Sequence, residues 1–313
     1  MSQSSQSHIP ENPHVLPYSV FGLLAALSVF WGFNWPVMKV VLSEMAPLHF
    51  RSWCLGLSAI GMFALAHYSG LNIRVPRNEW RPLVLISVFN QVVWNILAVH
   101  SIEMMDSGRA AILGYTMPIW GMLLGFWLLR EPVTRRKIVG LVLGVGGILL
   151  LLAGEFTVVG RSPVAALMMI LAAMSWAIGM VMIKRWPIGL PLLSYSAWQM
   201  AIAFVPIWLG AVVIEQGSFS LLSLSIWPLS GVIYNVLIAF IFCNWAWMKI
   251  VTIAPMSVSS LSTLMIPVVG VFSGMLVLGE QPGWNDYLAL LLVISALVTV
   301  LVPSRSNERL VVK

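Results

Sequence analysis

Ten long stretches of the chain contain no Asp, Glu, Lys or Arg, and this pattern constrains the fold more than any other feature. A helix that crosses a membrane needs about 20 consecutive, mostly apolar residues. Each stretch is long enough for one crossing, and none is long enough for two crossings and a turn. The stretches are residues 18–38, 52–73, 82–102, 110–129, 138–154, 162–183, 186–214, 216–248, 250–279 and 287–304.

The overall charge content agrees with this pattern. Only 9% of the residues are charged, whereas soluble domains have about 25%. A soluble protein of this size could not cover its surface with so few charges, so lipid must be the solvent for most of the chain. We therefore predict an all-α integral membrane protein with ten transmembrane helices in a lipid bilayer.

The positions of the cationic residues predict the orientation. Thirteen of the 17 Lys and Arg residues fall on the side that holds both termini, and the other side holds Lys39, Arg51, Arg109 and Arg161. Loops rich in Lys and Arg stay in the cytoplasm, so both termini are predicted to be cytoplasmic. The formal net charge of +6 is then explained by the loop cations that orient the helices in the membrane. No nucleic-acid partner is predicted.

The segments outside the ten stretches are too short for a soluble domain. Residues 1–17 are polar, rich in Ser and Pro, and contain no Lys or Arg. They lack the basic start of a cleaved signal peptide and are predicted to form a disordered cytoplasmic tail. Residues 303–313 are predicted to form a second cytoplasmic tail. Any chemistry must therefore take place within the helix bundle.

The chain contains an internal repeat. Six residues of the first half recur in the second half in the same order, three at an offset of 145 residues and three at an offset of 149. The pairs are Trp31 and Trp176, Lys39 and Lys184, Trp53 and Trp198, Asn95 and Asn244, Pro118 and Pro267, and Glu131 and Glu280. Six ordered matches at two consistent offsets indicate a duplicated unit.

This repeat predicts both the architecture and a class of function. Five helices per copy is an odd number, so the second copy must enter the membrane from the opposite side. Residues 18–153 and 162–302 are therefore predicted to form two inverted five-helix repeats. Many secondary transporters have this architecture, with the substrate site near the membrane midplane between the halves. Two inverted halves can also exchange conformations, as alternating access requires.

Short motifs occur along nearly the whole chain. They are Trp31-Gly32-Phe33-Asn34-Trp35, Trp176-Ala177, Pro118 with Arg130-Glu131-Pro132, the glycine-rich helix from Gly140, Ala254-Pro255, and Pro267 with Leu278-Gly279-Glu280. Together they resemble the drug/metabolite transporter (DMT) superfamily, specifically its EamA-type members. The resemblance implies a metabolite carrier in a bacterial inner membrane, often an exporter of amino acids or related compounds. The second copy departs from the pattern where Gln281 separates Glu280 from Pro282.

Polar and aromatic residues inside the predicted helices are candidates for the substrate site. They are costly in hydrocarbon and should face the bundle interior, where amides can orient a zwitterion and indoles can pack on its side chain. In the third helix, Asn90 and Trp94 share one stripe and Gln91 and Asn95 the next. The other candidates are Asn34, Trp35, Tyr115, Trp176, Gln199, Tyr234, Asn244 and Trp245, with Thr116, Trp198 and Asn235 beside them.

The alternative for each candidate is a hydrogen bond between helices that only supports packing. For Asn95 and Asn244 the repeat itself would preserve such a role. For the third-helix cluster as a whole, a cavity is the favoured interpretation.

Pro118 and Pro267 lie close to the middle of the predicted fourth and ninth helices. A proline inside a helix removes one backbone hydrogen bond and produces a kink. Either the two helices bend at these prolines as gates during transport, or the kinks only shape the bundle. Glu131 and Glu280 end the same two helices on opposite faces, where helix termination or loop anchoring is favoured over substrate binding.

The predicted helices lack several features that would indicate another mechanism. No Asp or Glu falls near the middle of a crossing, and the sequence has no nucleotide-binding loop. Movement down a substrate gradient, or weak and indirect proton coupling, is therefore expected. Cys54 and Cys243 lie apart in apolar stretches, so no metal site, cofactor or disulfide is predicted.

Together these observations predict a secondary transporter of small metabolites, favouring an amino-acid or related-metabolite exporter. A sugar, nucleoside or drug carrier of the same fold is the alternative. An intramembrane enzyme would need a nucleophile with a base, or a metal site, inside the helices. The predicted helices offer only isolated groups such as His67 and His100, so no enzymatic activity is predicted. The sequence leaves two alternatives for the oligomeric state: a monomer, or an oligomer that packs through the glycine-rich fifth helix.

Overall fold

The computed structural model describes residues 18–129, 135–157, 162–216, 220–253 and 256–301. Within these ranges the regular structure is entirely helical, and they contain no strand. The two predicted tails, together with Glu131, lie outside the described residues.

The first half contains two long helices followed by shorter pieces. The helices are α1 (Tyr18–Leu42), α2 (Pro47–Tyr68), α3 (Trp80–Ser87), α4 (Trp94–Met104), α5 (Ser107–Gly114), α6 (Met117–Leu129) and α7 (Arg135–Thr157). A π-helical segment, Val88–Val93, joins α3 to α4, so these three pieces form one apolar crossing. Tyr115 and Thr116 separate α5 from α6 within another crossing.

The second half repeats much of this arrangement. Its helices are α8 (Pro163–Arg185), α9 (Leu192–Ile214), α10 (Ile226–Tyr234), α11 (Cys243–Ile253), α12 (Met256–Leu278) and α13 (Trp284–Leu301). A second π-helical segment, Asn235–Phe242, joins α10 to α11. At the offset of 149 residues, the first π-helical segment corresponds to residues 237–242. Both π-helical segments therefore occupy the same place in the internal repeat.

The helices confirm a multi-pass membrane protein. In the described residues, seven helical segments are long and apolar enough to cross a membrane. Three shorter apolar helices lie at Ile138–Ala153, Met265–Leu278 and Trp284–Thr299. Each of these segments overlaps one of the ten uncharged stretches. Ten crossings in two inverted repeats stays a prediction.

Apolar side chains cover the outside of the bundle. Trp127, Val213 and Leu276 are 80%, 81% and 86% exposed. Soluble monomers rarely expose large contiguous apolar patches. Lipid is the environment in which an exposed apolar surface carries no free-energy penalty, and this agrees with the low content of charged residues.

The helices pack mainly across the two halves. Helix α2 packs on α9, α7 on α13, and α1 on α12, while α8 contacts both α4 and α6, and α1 also contacts α10 and α11. Exchanging the halves maps the α2–α9 and α7–α13 pairs onto themselves. It maps α1–α12 onto α8–α6, and α8–α4 onto α1–α11. The packing is therefore symmetric under exchange of the halves.

Candidate functional site

The two π-helical segments are held by polar groups of neighbouring helices. A π-helical insertion shifts the backbone hydrogen-bond pattern, so carbonyl groups there need other partners. The Ser175 hydroxyl of α8 donates to the carbonyl oxygen of Phe89 at 2.7 Å. The Trp31 indole N–H of α1 donates to the carbonyl oxygen of Ala239 at 2.9 Å. Both predicted third and eighth crossings are thus bound to a neighbour in the middle of the bundle.

Two of the third-crossing candidates bind each other. The Nδ2 of Asn95 donates to the carbonyl oxygen of Gln91 at 2.7 Å and to its side-chain Oε1 at 3.2 Å. Both side chains are buried, Asn95 at 1% exposure. This geometry fits the alternative stated for Asn95, a hydrogen bond that supports the helix.

Asn90 points instead at α8. It is 3% exposed, and its Oδ1 has no hydrogen-bond partner among the described residues. A Cβ atom added at Gly179 would lie only 1.3 Å from that Oδ1. Because Gly179 has no side chain, the Asn90 amide can occupy the space beside it.

Trp94 and Trp176 form an aromatic pair between α4 and α8. Their ring centroids are 5.3 Å apart and the rings meet edge to face at 66°. Both indoles are partly exposed. The pair thus joins two crossings and leaves part of both indoles exposed.

The interruption between α5 and α6 lies beside Trp35. This indole is 4% exposed, and its ring centroid is 6.3 Å from that of Tyr115. Thr116 bonds to residues on both sides of the interruption. Its hydroxyl donates to the carbonyl oxygen of Leu113 at 2.6 Å and accepts from the Trp120 indole N–H at 3.1 Å.

The two prolines differ in their local structure. Pro118 is the second residue of α6. The N–H groups of a first helical turn have no partner within the helix, so a proline there loses no hydrogen bond and favours a helix start. In place of the expected kink, the fourth crossing has a two-residue turn at Tyr115 and Thr116. Pro267, by contrast, is buried inside the continuous helix α12.

Amide oxygens of α1 and of the second π-helical segment also lack a hydrogen-bond partner in the part of the chain that the structure describes. The Nδ2 of Asn235 donates to the carbonyl oxygen of Gly231 at 3.0 Å, which orients its Oδ1 away from its own helix. This oxygen and the Oδ1 of Asn34 have no hydrogen-bond partner among the described residues. Tyr234 joins the same two crossings, since its hydroxyl donates to the carbonyl oxygen of Phe30 at 2.7 Å.

The remaining three candidates contact residues of their own crossings. The amide of Gln199 donates to the Tyr195 hydroxyl at 2.9 Å. The amide of Asn244 donates to the carbonyl oxygen of Phe240 at 2.6 Å, and the Lys249 ammonium lies 4.6 Å from the centroid of the Trp245 ring. In the described part of the chain, no three His, Cys, Asp or Glu side chains are grouped so that they could hold a metal ion.

Charged residues that sequence reasoning did not place in a site meet at one end of the bundle. We call this the outer end; it is formed by the α1–α2, α4–α5, α9–α10 and α12–α13 connections, opposite to the chain termini. Glu280 accepts the backbone N–H groups of Ser107 at 2.6 Å and Gly108 at 3.0 Å. Glu215 accepts those of Leu48 at 2.7 Å and His49 at 2.9 Å. Each carboxylate therefore binds the first turn of a helix in the other half, where the helix dipole favours an anion.

Glu44 makes a third contact of this kind. It accepts the Ser225 N–H at 2.8 Å and the Ser225 hydroxyl at 2.5 Å. These hydrogen bonds, with the hydroxyl contributing most, hold the pKa of Glu44 below its usual value. At the opposite end of the bundle, Glu79 accepts the N–H of Gly189, which lies in the connection between α8 and α9, at 3.1 Å.

Arg109 and Asp286 form a buried ion pair at the outer end. The guanidinium nitrogen and the carboxylate oxygen are 2.5 Å apart, and the residues are 3% and 2% exposed. Arg109 also donates to the carbonyl oxygen of Leu151 at 2.9 Å, and Asp286 accepts the N–H of Gly283 at 2.8 Å. The pair faces a small recess that is lined by Asp106, Gly108, Arg109, Ile112, Val271, Glu280, Pro282 and Asp286.

The other cations of this end are also engaged with the protein. Arg51 is 3% exposed and donates to the Met38 sulfur at 2.7 Å. The Lys39 ammonium donates to the carbonyl oxygen of Met105, whereas Arg161 lies outside the described residues. Lys39 and Arg51 therefore contact other parts of the protein and are not free loop charges.

Comparisons with known proteins agree on one family. The model of the EamA-like transporter family matches residues 19–153 and again residues 163–302. The chain is 25% identical over 274 residues to the "Uncharacterized transporter YoaV" of Bacillus subtilis, covering 86% of this chain and 92% of that protein. It is also 25% identical over 272 residues to a "Probable amino-acid metabolite efflux pump" of Salmonella typhimurium, covering 83% and 87%.

A crystal structure of another protein has a similar fold. It superposes with a TM-score of 0.64 over 95% of this chain and 100% of its own, at 14% sequence identity. At this identity the similarity concerns the fold alone.

Proposed function

Because this chain belongs to the EamA-like transporter family, we propose that it exports amino acids or related metabolites by alternating access. The chain is a small-molecule transporter with several membrane-spanning helices. One relative of similar length is named as a probable amino-acid metabolite efflux pump. This name favours amino-acid metabolites as the substrate class.

The proposed architecture has ten crossings in two inverted repeats, residues 18–153 and 162–302. The family model matches twice, the packing of the helices is symmetric under exchange of the halves, and the two π-helical segments occupy equivalent positions. These three observations support it. The distribution of loop cations favours cytoplasmic termini in a bacterial inner membrane.

The observation that carries the substrate site is the interruption of the fourth crossing at Tyr115–Thr116. Membrane helices tolerate such a break where protein or a cavity satisfies the freed backbone groups, and transporters bind substrates at such breaks. The first turn of α6 points its positive dipole end at the break. Pro118 has no N–H, and the N–H groups of Ile119 and Trp120 bind the carbonyl oxygen of Thr116 at 2.9 and 3.4 Å, so the N–H of Met117 is the proposed donor to a substrate carboxylate. Trp35, Tyr115 and the Trp94–Trp176 pair supply aromatic surface for a substrate side chain. We propose Pro118 and Pro267 as gating positions of the two corresponding helices.

Three amide oxygens complete the proposed recognition of a zwitterion. The Oδ1 atoms of Asn34, Asn90 and Asn235 are buried without a hydrogen-bond partner among the described residues. Leaving a buried acceptor unsatisfied costs about 1–3 kcal/mol. A substrate ammonium group would supply a donor to those of the three oxygens that it reaches. The break and the three oxygens together therefore favour a ligand that carries both an ammonium and a carboxylate.

The test is counterflow of labelled substrates in proteoliposomes that contain the purified protein, since counterflow reports transport whatever its physiological direction. We expect amino acids to accumulate, and we expect Asn34→Ala and Trp94→Ala to lower the rate. The matched control is Asn78→Ala, which changes an exposed asparagine at the end of a helix and should keep the rate. Accumulation of sugars, nucleosides or drugs with no response to amino acids would overturn the substrate class. No accumulation of any of these substrates would contradict the carrier itself.

A further inference from the structure

Arg51 is a buried cation without an opposite charge beside it. The residue is 3% exposed, and within the described ranges no carboxylate forms an ion pair with its guanidinium group. Its Nη2 donates to the Met38 sulfur at 2.7 Å, but a thioether sulfur is only a weak acceptor. Its Nε has no hydrogen-bond partner in the same ranges, and its Cζ lies 5.0 Å from the centroid of the Phe50 ring. These contacts leave most of the cost of burying the charge uncompensated.

Arg109 is the arginine of this bundle that has a structural partner. It is also 3% exposed, but it pairs with Asp286 at 2.5 Å and donates to the carbonyl oxygen of Leu151 at 2.9 Å. Charge within a membrane-spanning bundle is expensive, and it marks a functional site when the protein supplies no partner for it. Arg51, unlike Arg109, therefore has the character of a site for an anion that comes from outside the protein.

The internal repeat indicates that packing alone does not require this charge. At the offset of 145 residues that relates Trp53 to Trp198, Arg51 corresponds to Ser196. The helices that carry the two positions, α2 and α9, are equivalent in the repeat and pack against each other. A neutral residue therefore occupies the equivalent place in the second half, so the repeated packing can be built without a cation there.

Arg51 lies on the outer side of the proposed substrate site. Helix α1 runs toward the outer end, and Met38 follows Trp35 by one helical turn on the same face, about 4.5 Å farther out. Trp35 adjoins the break in the fourth crossing, since its ring centroid is 6.3 Å from that of Tyr115. Trp35 and Met38 also belong to one buried cluster. The guanidinium group that contacts Met38 is therefore placed between the break and the outer end.

We propose that Arg51 binds the carboxylate of the substrate on its way from the break to the outer end. The N–H of Met117 is the donor while the substrate lies at the break, and Arg51 receives the carboxylate about one helical turn farther out. A guanidinium and a carboxylate form strong, charge-assisted hydrogen bonds, and the arriving carboxylate neutralises the buried charge. This assignment rests on the proposed function, because it gives a partner to the carboxylate of an amino-acid substrate.

The first part of the test compares two substrates that differ only in the carboxylate. The probes are the labelled amino acid that the wild type transports fastest and the carboxamide of the same amino acid, measured by counterflow at about pH 6, where both ammonium groups are protonated. A neutral N–H donor binds a carboxylate oxygen and a carboxamide oxygen alike, whereas a guanidinium group favours the charged one. The ratio of the two rates therefore reports Arg51 and not the Met117 N–H.

We expect Arg51→Met to lower the ratio of the amino-acid rate to the carboxamide rate. The usual strength of a hydrogen bond to a charged group corresponds to a roughly tenfold or greater fall. Arg51→Lys keeps the charge and should retain part of the preference. The control Arg77→Met removes an exposed arginine at the opposite end and should keep the wild-type ratio.

The second part of the test needs no substrate. Without substrate, Arg51→Met should raise the thermal midpoint of the detergent-solubilised protein, because it removes a buried charge that has no opposite charge beside it. Arg109→Met is the matched comparison and should lower the midpoint, since it leaves the Asp286 carboxylate buried without its partner. A residue that only supports packing would give a lower midpoint at both positions.

Three results would overturn the role of Arg51 and leave the proposed function intact. They are an unchanged rate ratio in Arg51→Met, a lower midpoint for Arg51→Met than for the wild type, and a midpoint of the substrate-free wild type that is higher in chloride than in gluconate while that of Arg51→Met is not. The last result would assign Arg51 to an inorganic anion. A wild type that transports no amino acid would instead overturn the proposed function, and the substrate carboxylate with it.

Discussion

Removing the carboxylate of Asp286 should destabilise the protein more than any change of an exposed charge nearby. The Asp286→Ala substitution leaves the Arg109 guanidinium, which is 3% exposed, without the carboxylate that it contacts at 2.5 Å. Breaking a buried ion pair by removing one partner costs about 3–5 kcal/mol, because a buried charge keeps its desolvation cost and loses its compensation. The same substitution removes the acceptor for the Gly283 N–H, so we expect a loss in the upper part of that range.

The measurement is the thermal or denaturant midpoint of the detergent-solubilised protein, followed by the fluorescence of its 15 tryptophans. A double-mutant cycle with Arg109→Leu and Asp286→Leu separates the pair from its surroundings. We expect the double variant to be more stable than Asp286→Leu alone, since two apolar side chains leave no buried charge. The matched control is Asp106→Ala, an exposed aspartate at the same end that makes no side-chain bond to cap α5.

Two results would refute this reasoning. One is an Asp286→Ala variant that is no less stable than Asp106→Ala. The other is a double-mutant cycle in which the two losses simply add, which would mean that the 2.5 Å contact contributes no coupling energy.

Three further outcomes are expected. Gly32→Ala should destabilise the protein by about 1–3 kcal/mol, because the added Cβ would lie 2.5 Å from the Cβ of Val269; Gly22→Ala in the same helix meets no atom within 4 Å and should match the wild type in thermal stability. Pro118→Ala and Pro267→Ala should slow counterflow in proteoliposomes if these positions act as gates, and full transport rates in both variants would contradict that role. Reconstituted transport should persist when only the pH gradient is removed, and its collapse would show strong proton coupling.

Much of the architecture could be predicted from local pattern alone. Stretches without charge have to match the thickness of the hydrocarbon core, so their number and length predict the crossings without knowledge of any contact. The family resemblance is likewise a matter of motifs and order, and the match to the EamA-like transporter family confirms it. The polar third-crossing cluster could be listed in advance because amides and indoles are expensive in lipid.

The contacts within the site could not be predicted in the same way. Asn95 and Gln91 bind each other. Asn90 on the same crossing lies against Gly179, and its side-chain oxygen has no hydrogen-bond partner within the described ranges. Which amide serves packing and which remains available to a ligand depends on the residue that the neighbouring crossing places opposite. Sequence spacing places an amide on a helix face but does not identify that residue.

The sequence by itself determined that this chain crosses a membrane many times, that its halves are related, and which residue types lie inside the helices, because lipid penalises charge and unpaired polar groups wherever they occur. Only the tertiary structure decided that the fourth crossing is interrupted beside Trp35, that Arg109 is a buried partner of Asp286, and that Glu280 binds the start of α5. The ion pair joins residues 177 positions apart in sequence. Such contacts depend on how helices from opposite halves approach each other, and that approach follows from the packing of the whole bundle.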